Sequence, residues 1–214
     1  MKFYESGDSS KPVIFLFPGT CCLYSSFYHV LDGLHSYFYT VTVSYDGFDP
    51  NEKTEFYSME DECEKIEQEI RKKHGGSIKA AYGCSLGGSF VSLLIQRKRI
   101  HIEHGIIGSS DMDEAGNLVA KIQAFMVVPF MYKMVHTGAL PKFMQKKLNK
   151  TDEAKKELYN GFLNMFGIGK GGSPWITKQS IYNQFYSDLV TKIQHGIDVP
   201  GTTIHVFYAT KMGK

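Results

Sequence analysis

Short apolar runs alternate with amphipathic segments along the first half of the chain. Val13–Phe17 is continuously apolar and ends at Pro18-Gly19, as expected of a buried parallel strand. Further short runs that are β-branched or apolar predict strands over residues 40–45, 79–82 and 104–107. Between the strands, apolar residues recur at helical spacing and predict helices over 25–34, 58–73 and 88–97. This order predicts an α/β fold, a parallel sheet with helices on both faces.

The pattern changes in the second half of the chain. From Ala115 to about Leu189 no segment has the pattern of a strand. The periodicity instead predicts four helices, over 117–135, 141–147, 152–166 and 176–189. One more strand, over 203–209, follows Pro200-Gly201. We therefore predict a core at 1–114, an inserted helical cap at 115–189 and a return to the core at 190–214.

Composition narrows the class of protein. The 214 residues are 43% hydrophobic with a net charge of +2 and no basic block, which argues against a nucleic-acid partner. The four cysteines lack C-x-x-C spacing, so we predict no metal site, and no cofactor motif is present. The longest apolar stretch, 124–135, is shorter than the roughly 20 residues of a membrane span. With no secretory segment before the first strand, we predict a cytoplasmic protein.

The strongest chemical signal is a G-x-S-x-G pattern formed by Gly83, Ser85 and Gly87. It lies between a predicted strand and a predicted helix, the strand–turn–helix setting of a nucleophile elbow. The glycines are needed because side chains two residues from a serine on so sharp a turn would clash. Ser85 is therefore the predicted nucleophile; the alternative is a tight turn at a helix start with an inert serine.

An attacking serine requires donors for the oxyanion that it creates. The backbone N–H of Leu86, at the start of the following helix, is one candidate. The second is the N–H of Thr20, in the loop after Val13–Phe17, where Gly19 permits a tight bend. Alternatively, Pro18-Gly19 is only a turn that ends a strand.

With these motifs the chain resembles the α/β-hydrolase superfamily, in particular bacterial members with a helical cap. The Pro18-Gly19-Thr20 segment is similar to the family's oxyanion loop, and residues 203–209 resemble the strand that precedes its acid-bearing loop. The resemblance implies hydrolysis of an ester, thioester or amide through an acyl-serine intermediate.

The chain departs from the family pattern after residue 209. The family order of serine, acid and histidine predicts an acid within a few residues, but 210–214 contains none. We therefore expect the chain to be incomplete at its C-terminus and the base histidine to lie beyond residue 214. Without a base, acylation loses roughly 10²–10⁴-fold in rate.

Asp111, after the predicted strand 104–107, is an alternative triad acid; the competing interpretation is a cap for the helix that follows. None of the eight histidines follows the expected acid, and we interpret them as structural or solvated. His29 is the least implausible base, because its helix starts beside the oxyanion loop.

The helix predicted over 117–135 is apolar all round, so it is either buried or faces a pocket. Its Met and aromatic side chains are suited to a small hydrophobic acyl or ester substrate, although core packing is the simpler explanation for any single one. Two other functions stay open: a hydrolase-fold ligand-binding protein without a complete triad, and a peptidase or acyltransferase on the same scaffold. The sequence leaves the oligomeric state open.

Overall fold

A single six-stranded sheet forms the centre of the molecule. The computed structural model describes residues 1–110, 112, 114–150, 152–167 and 171–207. The strands run in the order β1-β3-β2-β4-β5-β6, and all pairs are parallel except β1 with β3. Their bounds are β1 Lys2–Ser6, β2 Val13–Phe17, β3 Tyr39–Ser44, β4 Ser77–Cys84, β5 His101–Gly108 and β6 Thr203–Phe207.

Helices cover both faces of this sheet. Ile14 and Leu16 of β2 face Phe27 and the helix that follows it, whereas Phe15 and Phe17 face the opposite layer. The predicted α/β class with helices on both faces is confirmed. In chain order the helices of the core are a 3₁₀ turn at Tyr24–Phe27, α1 Tyr28–His35, α2 Met59–His74 and α3 Leu86–Arg97.

Strand β1 was not predicted from the sequence. Four of its five residues are half-buried and Glu5 is exposed, as expected of a strand at the edge of a sheet. Phe3 packs edge-on against Phe15, with 6.2 Å between ring centroids. The sheet is thus mixed rather than purely parallel, with an antiparallel strand at one edge.

Four helices lie between β5 and β6 in the described part of the chain. They are α4 Asn117–Thr137, α5 Lys142–Asn149, α6 Glu153–Asn164 and α7 Lys178–Val190. Helix α4 packs along α7, and α7 also contacts α2 of the core. The Oγ of Ser180 accepts a hydrogen bond from Phe56 N–H (3.3 Å), and the Oγ of Ser187 accepts one from Met59 N–H (3.2 Å). Polar contacts therefore fasten α7 to the core; the division at residues 114 and 189 stays a prediction.

The outward side of α4 is more exposed to solvent than the sequence predicts. The helix was predicted to be buried or to face a pocket, but Phe125 is 78% exposed and Met126 is 64% exposed. By length and composition α4 is also the one helix among the described residues that could cross a membrane, since its most apolar 18 residues have a mean hydropathy of 1.4. The apolar stretch 124–135, taken alone, suggested a segment too short to cross a membrane, whereas α4 extends over 21 residues.

Candidate functional site

Ser85 lies at the turn between β4 and α3. Its backbone has φ 55° and ψ −127°, a region that residues with a side chain rarely adopt. The turn is held at both ends: Ser85 N–H donates to Gly108 O at 2.9 Å, and Gly88 N–H donates to Ser85 O at 2.8 Å. The side chain is exposed. The structure therefore has the strained strand–turn–helix geometry that the sequence pattern requires.

Two glycines make this turn possible. A Cβ on Gly83 would lie 2.0 Å from Gly87 O, and a Cβ on Gly87 would lie 2.1 Å from Phe17 O. Both distances are far below van der Waals contact. The second contact also places the start of α3 directly against the end of β2. Gly83 and Gly87 thus have a steric reason to be glycine.

The turn lies at the switch point of the sheet. Strands β2 and β4 are neighbours, and the chain leaves β2 for β3 on one side before it returns to β4 on the other. In open α/β sheets the crevice outside the carboxyl ends of two such strands is where ligands bind. The loops after β2 and β4 meet there: a Cβ on Gly19 would lie 3.6 Å from Ser85 Cβ.

The loop after β2 is held in a defined shape. The buried Tyr45 hydroxyl donates to Pro18 O at 3.1 Å, and Cys22 N–H donates to Gly19 O at 3.0 Å. Cys21 adopts a left-handed conformation with φ 59°. Within the described residues, no hydrogen bond engages the N–H of Thr20 or of Leu86. Among the described residues, both predicted oxyanion donors therefore lack a hydrogen-bond acceptor.

Gln184 of α7 is a buried residue that contacts the loop after β2 and that the sequence did not single out. It is fully buried, and its Oε1 accepts the Cys21 N–H at 2.7 Å. Because that donor fixes the amide orientation, Nε2 points away from Cys21, and it has no partner within the described part of the chain. The available signal was the spacing of Ser180, Gln184 and Ser187 on one helix face.

The other predicted partners of Ser85 are not brought to it. Asp111 lies outside the described residues, although Ser110 before it packs close to Gly88. In the described part of the chain, no histidine hydrogen-bonds to the Ser85 hydroxyl. His35 instead contacts Ser6 at 3.0 Å, and His29 is exposed on α1.

The thiols near the site are poor nucleophiles. Burial raises the pKa of Cys22 to about 12, and partial burial also raises the pKa of Cys84, next to Ser85. A thiol reacts as its thiolate, so both are protonated and inert near neutral pH. All four cysteines are free. The hydroxyl of Ser85 is thus a better candidate nucleophile than either thiol.

Within the described residues, further clefts and an acidic cluster lie away from Ser85. A cleft of about 720 Å³ beyond β3 is lined in part by Asp46, Glu52 and Trp175, and one of about 250 Å³ lies between α4 and α7. Neither is lined by Ser85. The carboxylates of Asp46, Asp61 and Glu62 lie close enough together to bind a metal ion, but the Lys65 ammonium contacts all three. That cation already balances much of their charge, so the cluster does not call for a metal.

The fold is shared with solved hydrolase structures. A putative α/β-hydrolase family protein from Desulfitobacterium hafniense is 15% identical, with a TM-score of 0.68 over 88% of this chain and 72% of that one. A thermophilic esterase from Thermogutta terrifontis is 14% identical, with a TM-score of 0.66 over 96% and 74%. An enol-lactonase from Burkholderia xenovorans is 12% identical, with a TM-score of 0.62 over 96% and 75%. No protein-family model matches the sequence, and no curated protein matches it. At these identities the likeness establishes the α/β-hydrolase fold.

Proposed function

We propose that this chain, which has the α/β-hydrolase fold, is a serine hydrolase that cleaves a hydrophobic ester or thioester through an acyl-serine intermediate. The observation that carries the proposal is Ser85 itself. It is exposed on a strained turn at the switch point of the sheet, and the nearby N–H groups of Thr20 and Leu86 have no acceptor among the described residues. A serine that only forms a turn would not require an exposed hydroxyl close to two unpaired backbone donors.

The proposed reaction has two steps. The Ser85 hydroxyl oxygen attacks the carbonyl carbon and passes its proton to a histidine base, for which Asp111 is the proposed orienting acid. The carbonyl oxygen becomes an oxyanion that accepts hydrogen bonds from Thr20 and Leu86 N–H. When the C–O or C–S bond breaks, the alcohol or thiol leaves with the proton from the base. Water then attacks the acyl-serine by the same route and releases the acid.

Support for a hydrophobic acyl substrate comes from the cap. Met131, Tyr132 and Phe166 are partly buried apolar side chains that pack against the core. Such side chains adapt to irregular apolar ligands. The Thermogutta protein is described as an esterase and the Burkholderia protein as a lactonase, and both activities cleave carboxylic esters. We extend this to a cytoplasmic enzyme, because four free thiols suit a reducing compartment. The proposed acyl-serine mechanism requires no cofactor.

Covalent labelling tests the proposal. A fluorophosphonate reacts with a serine only where its hydroxyl is activated and an oxyanion hole is present. We expect the protein that carries the proposed base histidine to gain the mass of one phosphonyl group, and peptide mass mapping to locate it on Ser85. No adduct, or an adduct on another serine, would overturn the proposed function.

The alternative is a hydrolase-fold protein that binds an apolar ligand without turnover. It is favoured by the absence of a histidine hydrogen bond to Ser85 within the described residues. Retention of a fatty-acid probe together with no phosphonyl adduct would support this alternative.

Gln184 provides a separate test of how the oxyanion loop is positioned. Gln184→Leu leaves the buried Cys21 N–H without an acceptor, which costs about 1–3 kcal/mol in the free energy of unfolding. Because the same loop carries Thr20, we expect kcat for p-nitrophenyl butyrate to fall roughly 10–100-fold with little change in KM. Gln179→Leu, on the exposed side of the same helix, is the matched control and should change both quantities little. Equal kcat values for the two variants would show that Gln184 does not position the oxyanion loop.

A further inference from the structure

The outward side of α4 carries a stripe of large apolar side chains, which we call the outer stripe. Its members are all at least half exposed: Leu118 (72%), Val119 (51%), Ile122 (51%), Phe125 (78%) and Met126 (64%). At about 100° per residue they lie within one sector of the helix, facing away from the core. An exposed apolar patch on this scale marks an interaction surface.

The opposite side of α4 is buried against the rest of the protein. Ala120, Ala124, Val128 and Val135 are buried, and α4 packs along α7. A surface helix normally has one apolar face and one polar face. Helix α4 has two apolar faces, one that binds the cap and one in contact with solvent. The outer stripe is therefore not needed to hold α4 in place.

Charge indicates what the outer stripe binds. The segment 115–189 contains 10 lysines and 4 acidic residues, a net charge of +6, whereas the rest of the chain contains 14 basic and 18 acidic residues, a net charge of −4. Exposed lysines of this segment are Lys121 and Lys133 on α4, Lys178 on α7, which packs along α4, and Lys142 and Lys146 on α5. Exposed apolar side chains on a positively charged segment match a bilayer, which is apolar inside and anionic at its surface.

We propose that the outer stripe binds the surface of an anionic lipid bilayer, with α4 lying in the interface rather than crossing it. Crossing would expose the buried side of α4 to lipid and carry Lys121 and Lys133 through the hydrocarbon. Interfacial helices instead insert one apolar face and keep their lysines at the headgroups. A second copy is a poorer occupant, since two segments with a charge of +6 repel each other. The proposal is independent of the chemistry at Ser85.

Vesicle co-sedimentation tests this binding. We expect the protein to bind vesicles of 70:30 phosphatidylcholine and phosphatidylglycerol at least tenfold more tightly than pure phosphatidylcholine, and less tightly at 0.5 M salt. The double variant Phe125→Ser and Met126→Ser should bind the mixed vesicles at least tenfold more weakly. The matched control is the pair Tyr37→Ser and Tyr57→Ser, which removes two equally exposed rings outside the cap and should bind as the wild type does.

A second variant separates charge from apolar contact. Lys121→Glu with Lys133→Glu keeps the outer stripe and should lose the preference for anionic vesicles while retaining the weaker binding to neutral ones. Three results would each overturn the proposal: no binding to either vesicle, equal binding by the Phe125 and Met126 double variant, or no preference for the anionic lipid. A dimer in solution that the same double variant dissociates would assign the stripe to a second copy and would also overturn it.

Discussion

With the proposed base histidine in place, replacing Ser85 with alanine is expected to lower the turnover of p-nitrophenyl butyrate by about 10⁴-fold or more. The proposed mechanism has no other nucleophile at this position, because the neighbouring Cys84 has a raised pKa and is protonated near neutral pH. Binding should survive, since the N–H groups of Thr20 and Leu86 are backbone donors. The expected signature is therefore a loss in kcat with KM nearly unchanged, measured by steady-state kinetics.

Stability should not account for this loss. Alanine and serine meet the same strain at φ 55°, so the thermal midpoint of Ser85→Ala should lie within a few degrees of the wild type. Ser92→Ala is the matched control: Ser92 is a buried serine on α3, the helix that follows Ser85, and its Oγ donates to Gly88 O at 3.0 Å. It should retain at least half of the activity. Equal rates for wild type and Ser85→Ala would remove Ser85 from the mechanism.

The parts of this structure that follow from the sequence are those fixed by local pattern. The strand Val13–Phe17 has the bounds predicted for it, because a continuous apolar run closed by Pro18-Gly19 leaves little choice. The turn at Ser85 was predicted from five residues, because its constraint acts between glycines four positions apart. Both depend on neighbours in the chain.

The parts that were missed depend on distant neighbours. Gln184 accepts a hydrogen bond from Cys21, 163 residues earlier, and its position on a polar helix face does not identify that distant partner. Strand β1 is short and carries charge, so its strand character comes from pairing with β3. The outward side of α4 was misassigned for a related reason. Apolar residues all round a helix suggest burial, and only the structure distinguishes the side that packs on α7 from the side in contact with solvent.

The most stringent test of the elbow concerns a residue that takes no part in the chemistry. Gly83→Ala would place a methyl group 2.0 Å from Gly87 O and 2.6 Å from Gly88 N, both backbone atoms at the start of α3. Neither a rotamer change nor a small side-chain shift relieves such contacts, so the end of β4 and the first turn of α3 must separate. We expect the free energy of unfolding to fall by about 3 kcal/mol or more, or the protein to accumulate unfolded.

Gly33→Ala is the matched control for this substitution, because it adds the same methyl group where there is room for it. Gly33 lies on the exposed side of α1, and a Cβ there meets no atom within 4 Å. Since alanine is the better helix former, this variant should gain up to about 1 kcal/mol. Urea unfolding of the two variants should therefore move the midpoint in opposite directions from the wild type. A Gly83→Ala midpoint equal to the wild type would mean that β4 and α3 are not joined by the tight turn on which the proposed role of Ser85 depends.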